Sequence, residues 1–456
     1  MIISIERLNE DHAMETFLIA TAGLVALIVS YMLPVKFRFS IALVLSVLQL
    51  YIFPVGDFYI SMAFAASLSL WPEALKEAKT LFSKKIFTAA IILLLTHIVS
   101  ILWSPDPRMG LRTIVYILPF FFIACASFSI AKKDSGFVYN TLYATCLLMS
   151  IEAVLVIIFR ISPTLELSYL SSNLAGLFSG PNVIENLMNG AEANNVFDPD
   201  KAGGFFVNGN TASTYLGMGS FTAYMVSKVK KSRILLLTSA TLWLAVFFTG
   251  SKSGAMLALC LPTIAIVQSK YFQFNSQSKS AILRIFILLL PLIVFSVTQL
   301  ISLFAVDSTF ATNSMDTAST RFEIWNYAAS AFFGSPIFGQ GFGGWQIGYG
   351  AYAASIGIPT SFPPHNTLIY LWSQSGLLAA ILGIAFIYYV MRLSYQLIKS
   401  KDQDSKLLGT ALGLVSGWLF IHGMGENIGL FGEPHQQPLV ATLIGLAFAS
   451  RIKNKL

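Results

Sequence analysis

Charged residues are scarce in this chain. They make up 11% of its 456 residues, whereas soluble globular domains typically carry about 25%. Hydrophobic residues make up 55%, and the mean hydropathy is +0.70. So little charge excludes an ordinary soluble domain, because the polar side chains are too few to cover its surface. The composition is that of a polytopic membrane protein.

Cysteines, metal-ligand spacings and internal repeats are also scarce or missing. Cys125, Cys146 and Cys260 all lie within apolar runs, so we expect them to be packing residues and to form no disulfide. No cluster of histidines, cysteines or acids has the spacing of a metal site, and we expect neither metal nor cofactor. The absence of a repeat argues against a transporter built from two related halves. The net charge of +7 is spread over many short loops, which gives no support to nucleic-acid binding.

Apolar stretches recur along the whole chain and predict its fold class. A membrane-spanning helix needs roughly 20 apolar residues, and several of the stretches approach this length while others are shorter. They lie at residues 16–33, 39–54, 58–71, 86–103, 112–131, 137–159, 205–227, 233–249, 253–268, 283–304, 367–391, 406–424 and 437–450. We predict an all-α polytopic membrane helix bundle of about 12 to 13 transmembrane helices, forming one integral membrane domain over residues 1–456.

Basic residues give the bundle its orientation, because they are retained in short cytoplasmic loops. With about 13 spans and a cytoplasmic C-terminus, most lysines and arginines fall inside and the acidic N-terminal segment falls outside. The alternative, an N-terminus inside, requires an early segment such as 58–71 not to span. It also places Lys36 and Arg38 outside.

Two long loops are predicted on the outer face, at residues 160–204 and 305–366. The first is rich in Asn, Gly and Ser, which favour turns, so we expect most of it to be a solvated connector. In the second, Thr320 followed by Glu323 is a capping-box pattern and predicts the start of a short helix. Phe322, Trp325, Ala329, Phe332 and Phe333 then form an apolar face at helical spacing, and the glycine-rich run from Gly334 to Trp345 ends the helix.

Arg321 falls in the first turn of that predicted helix. Free N–H groups and the helix dipole disfavour a cation there, so we expect a compensating anion. A phosphate would suit the site, since the helix N-terminus and the guanidinium would both point at it. The alternative is an ion pair with a loop acid such as Asp316 or Glu323.

His365 follows two prolines and precedes the apolar run that starts near Thr367. This position predicts a histidine at the outer end of a membrane-spanning helix, with the backbone before it restricted by the two prolines. A neutral imidazole accepts a proton near pH 7, which suits a general base. The alternative is a structural or merely solvated histidine. His97 and His422, within or near the end of spans, are expected to be packed or hydrogen-bonded.

Lys252 lies in the turn Thr249-Gly250-Ser251-Lys252-Ser253-Gly254 at the outer end of two predicted spans. The glycines allow the backbone to approach a ligand, and the lysine is suited to neutralise a phosphate. The P-loop spacing is absent. The alternative is a lysine that extends along a helix end towards water.

Several acids need a partner or a role. Glu152 lies inside a predicted span, where a carboxylate is costly, so we expect a partner or a function for it. Glu426 and Glu433 lie in the last outer turn with His435, and they are candidates to contact a sugar or to pair with Arg321. In the turn at residues 102–107, the serine and the aspartate are expected to cap the next helix.

Six segments in this order resemble the O-antigen ligase and polymerase superfamily of bacterial membrane enzymes, the WaaL and Wzy type. They are LWSPDP at 102–107, FVNGNTAS at 206–213, TGSKSG at 249–254, TRFEIW at 320–325, SPIFGQGFGGW at 335–345 and PPHNTLIYLWSQSGL at 363–377. The resemblance covers most of the chain from about residue 100 to residue 391. Each segment alone is weakly specific, but their order and their common face favour the assignment.

The resemblance implies a metal-independent glycosyltransferase at the periplasmic face of the bacterial inner membrane. Its donor would be a glycan on undecaprenyl diphosphate, and its acceptor lipid A core in a ligase or a growing polysaccharide in a polymerase. Arg321 and Lys252 would hold the diphosphate and His365 would act on the acceptor hydroxyl, with Arg321 also counted as catalytic. Family ligases commonly have arginine where Lys252 stands, and a lysine lacks the bidentate fork.

Glu426, Glu433, Trp325 and Asn366 are candidate sugar or acceptor contacts. Expected partners are membrane lipids and, as a further candidate, polysaccharide assembly or export proteins. Two other classes of function stay open: a polysaccharide-lipid transporter or flippase, and a non-catalytic assembly scaffold. Buried charges and two structurally related halves would favour the transporter. Activity that is unchanged when Arg321 and His365 are replaced would favour the scaffold.

Overall fold

A computed structural model of the chain describes residues 31–55, 58–188, 200–271, 308–426 and 428–454, together with Thr21, Val25 and Ile28. These residues contain sixteen α-helices. Their bounds are α1 Val35–Leu48, α2 Met62–Leu68, α3 Trp71–Phe82, α4 Lys85–Ser100, α5 Pro107–Ile161, α6 Pro163–Leu170, α7 Asn173–Ser179, α8 Pro181–Met188, α9 Gly209–Val229, α10 Arg233–Phe248, α11 Lys252–Tyr271, α12 Ser308–Gly334, α13 Trp345–Ile356, α14 Thr367–Ile398, α15 Gln403–Gly423 and α16 Gln437–Lys453.

The helical fold agrees with the sequence, with one small sheet in addition. Strands β1 (Tyr51–Val55) and β2 (Phe58–Ser61) pair antiparallel, with Phe53 opposite Ile60. The apolar stretch 39–54 therefore does not form one helix. Helix α1 ends at Leu48, where Gln49 takes the left-handed conformation (φ 54°), and the aromatic and β-branched residues that follow favour extended backbone.

Three of the described helical segments are long and apolar enough to cross a membrane: Lys85–Trp103, Pro107–Ile161 and Thr367–Ile398. At 1.5 Å per residue, the 55 residues of α5 would extend about 80 Å, far more than the roughly 30 Å of a bilayer core. The backbone of Asp134 is not helical (φ −152°, ψ 80°) and divides α5 there, so we infer that it crosses twice. The total of about 12 to 13 spans stays a prediction, since most of 16–33 and all of 283–304 lie outside the described residues.

The bundle has two chemically different ends. One end carries the start of α4 at Lys85 together with the ends of α14 at Ile398 and of α16 at Lys453. We call this the basic end. The opposite end carries the starts of α14 and α16, and we call it the site end. Acids at the basic end pair with cations: Asp134 lies 2.6 Å from Lys36 Nζ, and Glu73 lies 3.0 Å from Lys76 Nζ.

Helix α16 forms the centre of the core. All of its residues from Gln437 to Ala449 are buried, although its mean hydropathy is modest, because small residues let α5 approach closely. A Cβ on Gly445 would overlap the carbonyl oxygen of Ala124, and Ser127 Oγ donates to the Thr442 carbonyl at 2.9 Å. This packing fixes the position of the turn that enters α16 at the site end.

The first outer loop has more structure than its composition predicts. Residues 163–188 form the three short helices α6 to α8 where turns were expected. Prolines at 163 and 181 stand at the first helical position of α6 and α8, where a missing N–H costs nothing. Leu170, Leu187 and Val207 pack together, so tertiary burial supplies the stability that local propensity lacks.

The second outer loop departs from the prediction at Thr320. Helix α12 begins at Ser308 and runs for 27 residues, so the expected start of a short helix at Thr320 is wrong, although α13, with 12 residues, is a short helix in the same loop. Glu323 accepts a hydrogen bond from Tyr352 Oη at 3.1 Å and does not cap a helix. Arg321 is therefore in a helix interior, and the argument that a helix N-terminus joins it in binding phosphate no longer holds.

The buried face of α12 also differs from the predicted one. Ile324, Tyr327 and Ala328 are buried and pack against Trp345 and Tyr349 of α13. The predicted apolar face instead contains large exposed side chains, with Phe322 62% and Phe333 80% exposed. Phe332 of that face packs on Trp372 of α14, whereas Phe322 and Phe333 are left for the surroundings.

The glycine run after α12 locks the second loop onto the bundle. As predicted, α12 ends at Gly334. Gly341 (φ 96°) lies so close to Ser104 that a Cβ would overlap its backbone, and Gly376 (φ 80°) approaches the Ile337 carbonyl in the same way. Gln340 N donates to the Ser373 carbonyl at 2.7 Å. The run therefore lies between the turn at 102–107 and a break in α14 at Gly376.

Candidate functional site

An ion pair between α12 and the turn after α15 forms the centre of the site. Arg321 Nη2 donates to Glu426 Oε1 at 2.7 Å, and the two side chains are 29% and 12% exposed. Burial by itself raises the pKa of Glu426, but His365 and Arg321 nearby outweigh it and lower the pKa to about 2. Glu426 is thus a carboxylate at any physiological pH. Of the predicted acids, Glu426 pairs with Arg321; the side chain of Asp316 lies outside the described residues.

His365 joins the same carboxylate. Its Nδ1 lies 3.6 Å from Glu426 Oε2, a contact longer than a hydrogen bond but within ion-pair range. We call Arg321, Glu426 and His365 the Arg321 cluster. Nδ1 is buried and makes no hydrogen bond with the described residues. The cluster therefore places one carboxylate between a permanent cation and a titratable ring.

The backbone of His365 is in the left-handed region, with φ at 49°. A non-glycine residue is uncommon there, although histidine and asparagine are enriched in it, and such strained positions concentrate at functional sites. Two prolines precede His365 and limit the conformations of its approach. Trp325 Nε1 donates to the Pro364 carbonyl at 3.1 Å, so α12 carries both Arg321 and the contact that fixes the histidine loop.

Asn366 fixes the other side of the histidine. Its Oδ1 accepts from the N–H groups of Leu368 and Ile369 at 3.0 and 3.1 Å, which caps α14, and its Nδ2 donates to the Met424 carbonyl at 3.1 Å. The side chain of Asn366 therefore holds the start of α14 against the turn that follows α15. Trp325 and Asn366, both proposed as sugar contacts, thus lie beside the Arg321 cluster and hold its loop. Whether either contacts a sugar stays a prediction.

The turn that contains Lys252 is linked to the cluster through His422. Lys252 begins α11 at the site end and its side chain is exposed. The next residue, Ser253, lies with its Oγ 2.8 Å from His422 Nε2. His422 is one helical turn before Glu426, whose backbone N–H donates to the His422 carbonyl at 3.0 Å. The structure thus brings the Lys252 turn and the Arg321 cluster to the same end of the bundle.

The proton positions around His422 follow from hydrogen-bond counting. Thr214 Oγ1 donates to the Asn210 carbonyl at 3.1 Å, so it must accept from His422 Nδ1–H at 2.6 Å. Nε2 then accepts from the Ser253 hydroxyl. The prediction that His422 is hydrogen-bonded is confirmed, as is that for His97, which stacks on Phe342 and contacts Ser375 Oγ at 2.7 Å. Both rings position neighbouring segments.

Glu433 lies in the same turn as Glu426 but in a different environment. It is partly buried, and its backbone N–H donates to Gln436 Oε1 at 3.1 Å. Burial raises the pKa of Glu433 to about 7, against a usual value of about 4.5, although a backbone N–H at Gly429 opposes the shift. Arg321 pairs with Glu426, so the alternative pairing with Glu433 is not the one that forms.

The raised pKa of Glu433 predicts a pH-dependent stability. Between pH 4.5 and 7 Glu433 binds a proton more tightly in the folded protein than in the unfolded chain, so its contribution to stability falls as pH rises through that window and does not change above it. We expect Glu433→Gln to show a smaller decrease in Tm between pH 5 and pH 8 than the wild type, measured in one detergent. Glu185→Gln, which removes an exposed acid of α8, is the charge-matched control and should follow the wild type. Equal pH slopes for all three proteins would contradict the assignment.

Two further acids hold the entry to α9. Glu152 is buried in α5 and its Oε2 accepts from the Phe205 backbone N–H at 3.0 Å. Glu166 Oε1 accepts from the Gly203 N–H at 3.3 Å. The partner expected for Glu152 is therefore a backbone N–H group, in the turn that contains Phe205. This turn leads to Asn208, which caps α9 by accepting from the N–H groups of Asn210 and Thr211.

The described residues contain no group of three or more histidine, cysteine or acidic side chains placed to hold a metal ion. Asp106, which belongs to no cluster, caps α5 as expected by accepting from the Met109 N–H at 3.0 Å. Both the turn at 102–107 and the glycine run that contacts it thus serve the architecture around the site.

Comparison with known families gives one match. The family model Wzy_C, described as O-antigen ligase, matches residues 237–384. This range covers about a third of the chain and includes Lys252, Arg321 and His365, whereas Glu426 and His422 lie beyond it. This match supports the resemblance of the chain to the O-antigen ligase and polymerase superfamily over these residues. No curated protein gives a significant match to the chain.

Proposed function

We propose that this member of the O-antigen ligase and polymerase superfamily transfers a glycan from undecaprenyl diphosphate to a hydroxyl of an acceptor. The reaction would take place at the periplasmic face of the bacterial inner membrane, with the C-terminus in the cytoplasm. The observation that carries the proposal is the Arg321 cluster, in which an arginine and a histidine share the ionised carboxylate of Glu426.

Arg321 is proposed to stabilise the departing diphosphate. Glycan transfer breaks the bond between the anomeric carbon and the diphosphate oxygen, so negative charge develops on that oxygen. A guanidinium offers five N–H donors, and the one bond of 2.7 Å to Glu426 fixes its direction without using all of them. Lys252, at the same end of the bundle, is the second proposed cation. As a point charge it would neutralise the diphosphate without the directional fork of an arginine.

His365 is proposed to act as the general base. The acceptor oxygen forms the new bond to the anomeric carbon while its proton passes to the imidazole. Because Nδ1 faces Glu426, Nε2 is the nitrogen assigned to the acceptor. The resulting imidazolium would be stabilised by the Glu426 carboxylate 3.6 Å from Nδ1. Glu426 would thereby serve both halves of the reaction, orienting Arg321 and balancing the charge that His365 acquires.

Product analysis tests the proposal and separates its two forms. Purified protein is incubated with an undecaprenyl-diphosphate glycan, with and without lipid A core, and the products are separated on a gel. Product only with the core would indicate a ligase, and a ladder of longer chains without it would indicate a polymerase. Absence of product in both lanes, while the donor is shown to bind, would contradict glycosyl transfer and leave the scaffold alternative.

A further inference from the structure

A cavity of about 380 Å³ lies at the basic end of the bundle, on the side away from the Arg321 cluster. Three helices form it: the start of α4, the last third of α14 and the end of α16. Four basic residues line it, and no aspartate or glutamate does; the full lining is Ser83, Lys84, Lys85, Ile86, Tyr389, Arg392, Leu393, Gln396, Phe448, Arg451 and Ile452. We propose that this cavity binds the phosphate head group of an anionic glycerophospholipid.

The charges of the cavity call for an anion. Lys84 and Lys85 come from the start of α4, and Arg392 comes from α14, so cations of separate helices converge on one space. Two other acids at this end are engaged elsewhere, since Asp134 pairs with Lys36 and Glu77 with Lys132. Basic pockets between transmembrane helices are a known mode of binding phospholipid head groups.

The uncharged part of the cavity favours a lipid over a free phosphate. Ile86, Leu393 and Phe448 are buried and give the cavity an apolar floor. Exposed apolar surface lies at its edge, where the lining residue Ile452 is 47% exposed and Tyr388, next to the lining residue Tyr389, is 57% exposed. A soluble phosphate would gain nothing from these two exposed side chains. The glycerol and the first acyl carbons of a phospholipid would cover them.

Lipid binding can be measured on the purified full-length protein by native mass spectrometry, and it does not depend on transfer activity. The probes are phosphatidylglycerol, phosphatidylcholine and inorganic phosphate, each titrated into protein in neutral detergent. We expect wild-type protein to retain phosphatidylglycerol about tenfold more tightly than phosphatidylcholine. Equal retention of the two lipids, or inorganic phosphate that binds as tightly as phosphatidylglycerol, would overturn the proposal.

A pair of double variants locates the binding. Lys85→Gln/Arg392→Gln removes two lining charges and should weaken phosphatidylglycerol binding about 30-fold, since each basic residue near an anionic lipid contributes about fivefold. Lys401→Gln/Lys406→Gln removes two exposed charges at the same end, outside the cavity, and should change binding less than twofold or so. Equal effects of the two would overturn the assignment to the cavity. If the first double variant does not fold, the comparison of probes on wild-type protein decides alone.

Discussion

His365→Asn is expected to lower glycan transfer by about 10² to 10⁴-fold, the usual contribution of a positioned general base. Asparagine is chosen because it tolerates the left-handed backbone that His365 adopts, whereas alanine would add strain at φ 49°. The variant thus removes the ring and keeps the loop. The measurement is the initial rate of product formation with donor and acceptor both saturating, with insertion and Tm checked in parallel.

His365→Gly separates a chemical role from a positioning role. Glycine also accepts the positive φ and leaves room for a small base, so added imidazole should restore part of the rate if the ring takes the acceptor proton. A histidine that only shapes the loop would show no rescue. A rate in His365→Asn equal to that of the wild type would remove the residue from the mechanism.

Arg321→Gln is expected to lower transfer by about 10² to 10³-fold, in the range found when a preorganised donor to developing charge is removed. It should also destabilise the protein by about 1–3 kcal/mol, because Glu426 would keep its charge with its main partner gone. Adding Glu426→Gln removes that charge. The double variant should therefore regain stability relative to Arg321→Gln but remain as inactive.

The ion pair between Arg160 and Asp200 provides the matched control. It has a similar length, 2.9 Å, and lies in the first outer loop, but Asp200 is 85% exposed. Arg160→Gln should change stability by no more than about 1 kcal/mol and leave transfer unchanged. If Arg321→Gln/Glu426→Gln regained wild-type activity, Arg321 would serve only to neutralise Glu426 and would have no part in binding the donor.

The sequence predicted local features of this site better than its long-range contacts. Asp106 was recognisable as a helix cap because the capping residue and the helix it serves are adjacent in the chain. The start of α12 was missed since residues 308–319 carry no apolar periodicity, and the Thr320 to Glu323 spacing occurs inside a helix as readily as at its start. Local pattern alone could not distinguish the two.

The partner of Arg321 illustrates the second limit. Arg321 and Glu426 are 105 residues apart in the sequence. Two other candidate acids, Asp316 and Glu323, are much nearer to Arg321, and a third, Glu433, lies in the same turn as Glu426. Only the packing of α12 over the end of α15 selects Glu426. The hydrogen bonds from His422 to Ser253 and Thr214 were missed for the same reason. Ser253 lies in the TGSKSG segment and Thr214 directly follows the FVNGNTAS segment, but nothing in either segment indicates His422 as a partner. Side-chain bonds between distant helices leave no local spacing to detect.

The glycine run and the glycine in α14 that contacts it would affect a mutational screen for site residues. Gly339, Gly341, Gly343 and Gly376 all have positive φ, and a Cβ on any of them would overlap backbone atoms. Random substitutions there would abolish activity although these glycines do not belong to the Arg321 cluster. A screen for loss of function would therefore rank these positions with His365 and Arg321. The two kinds of defect would differ in protein abundance, because the glycine variants are expected to misfold, whereas variants at His365 and Arg321 are expected to fold with at most reduced stability.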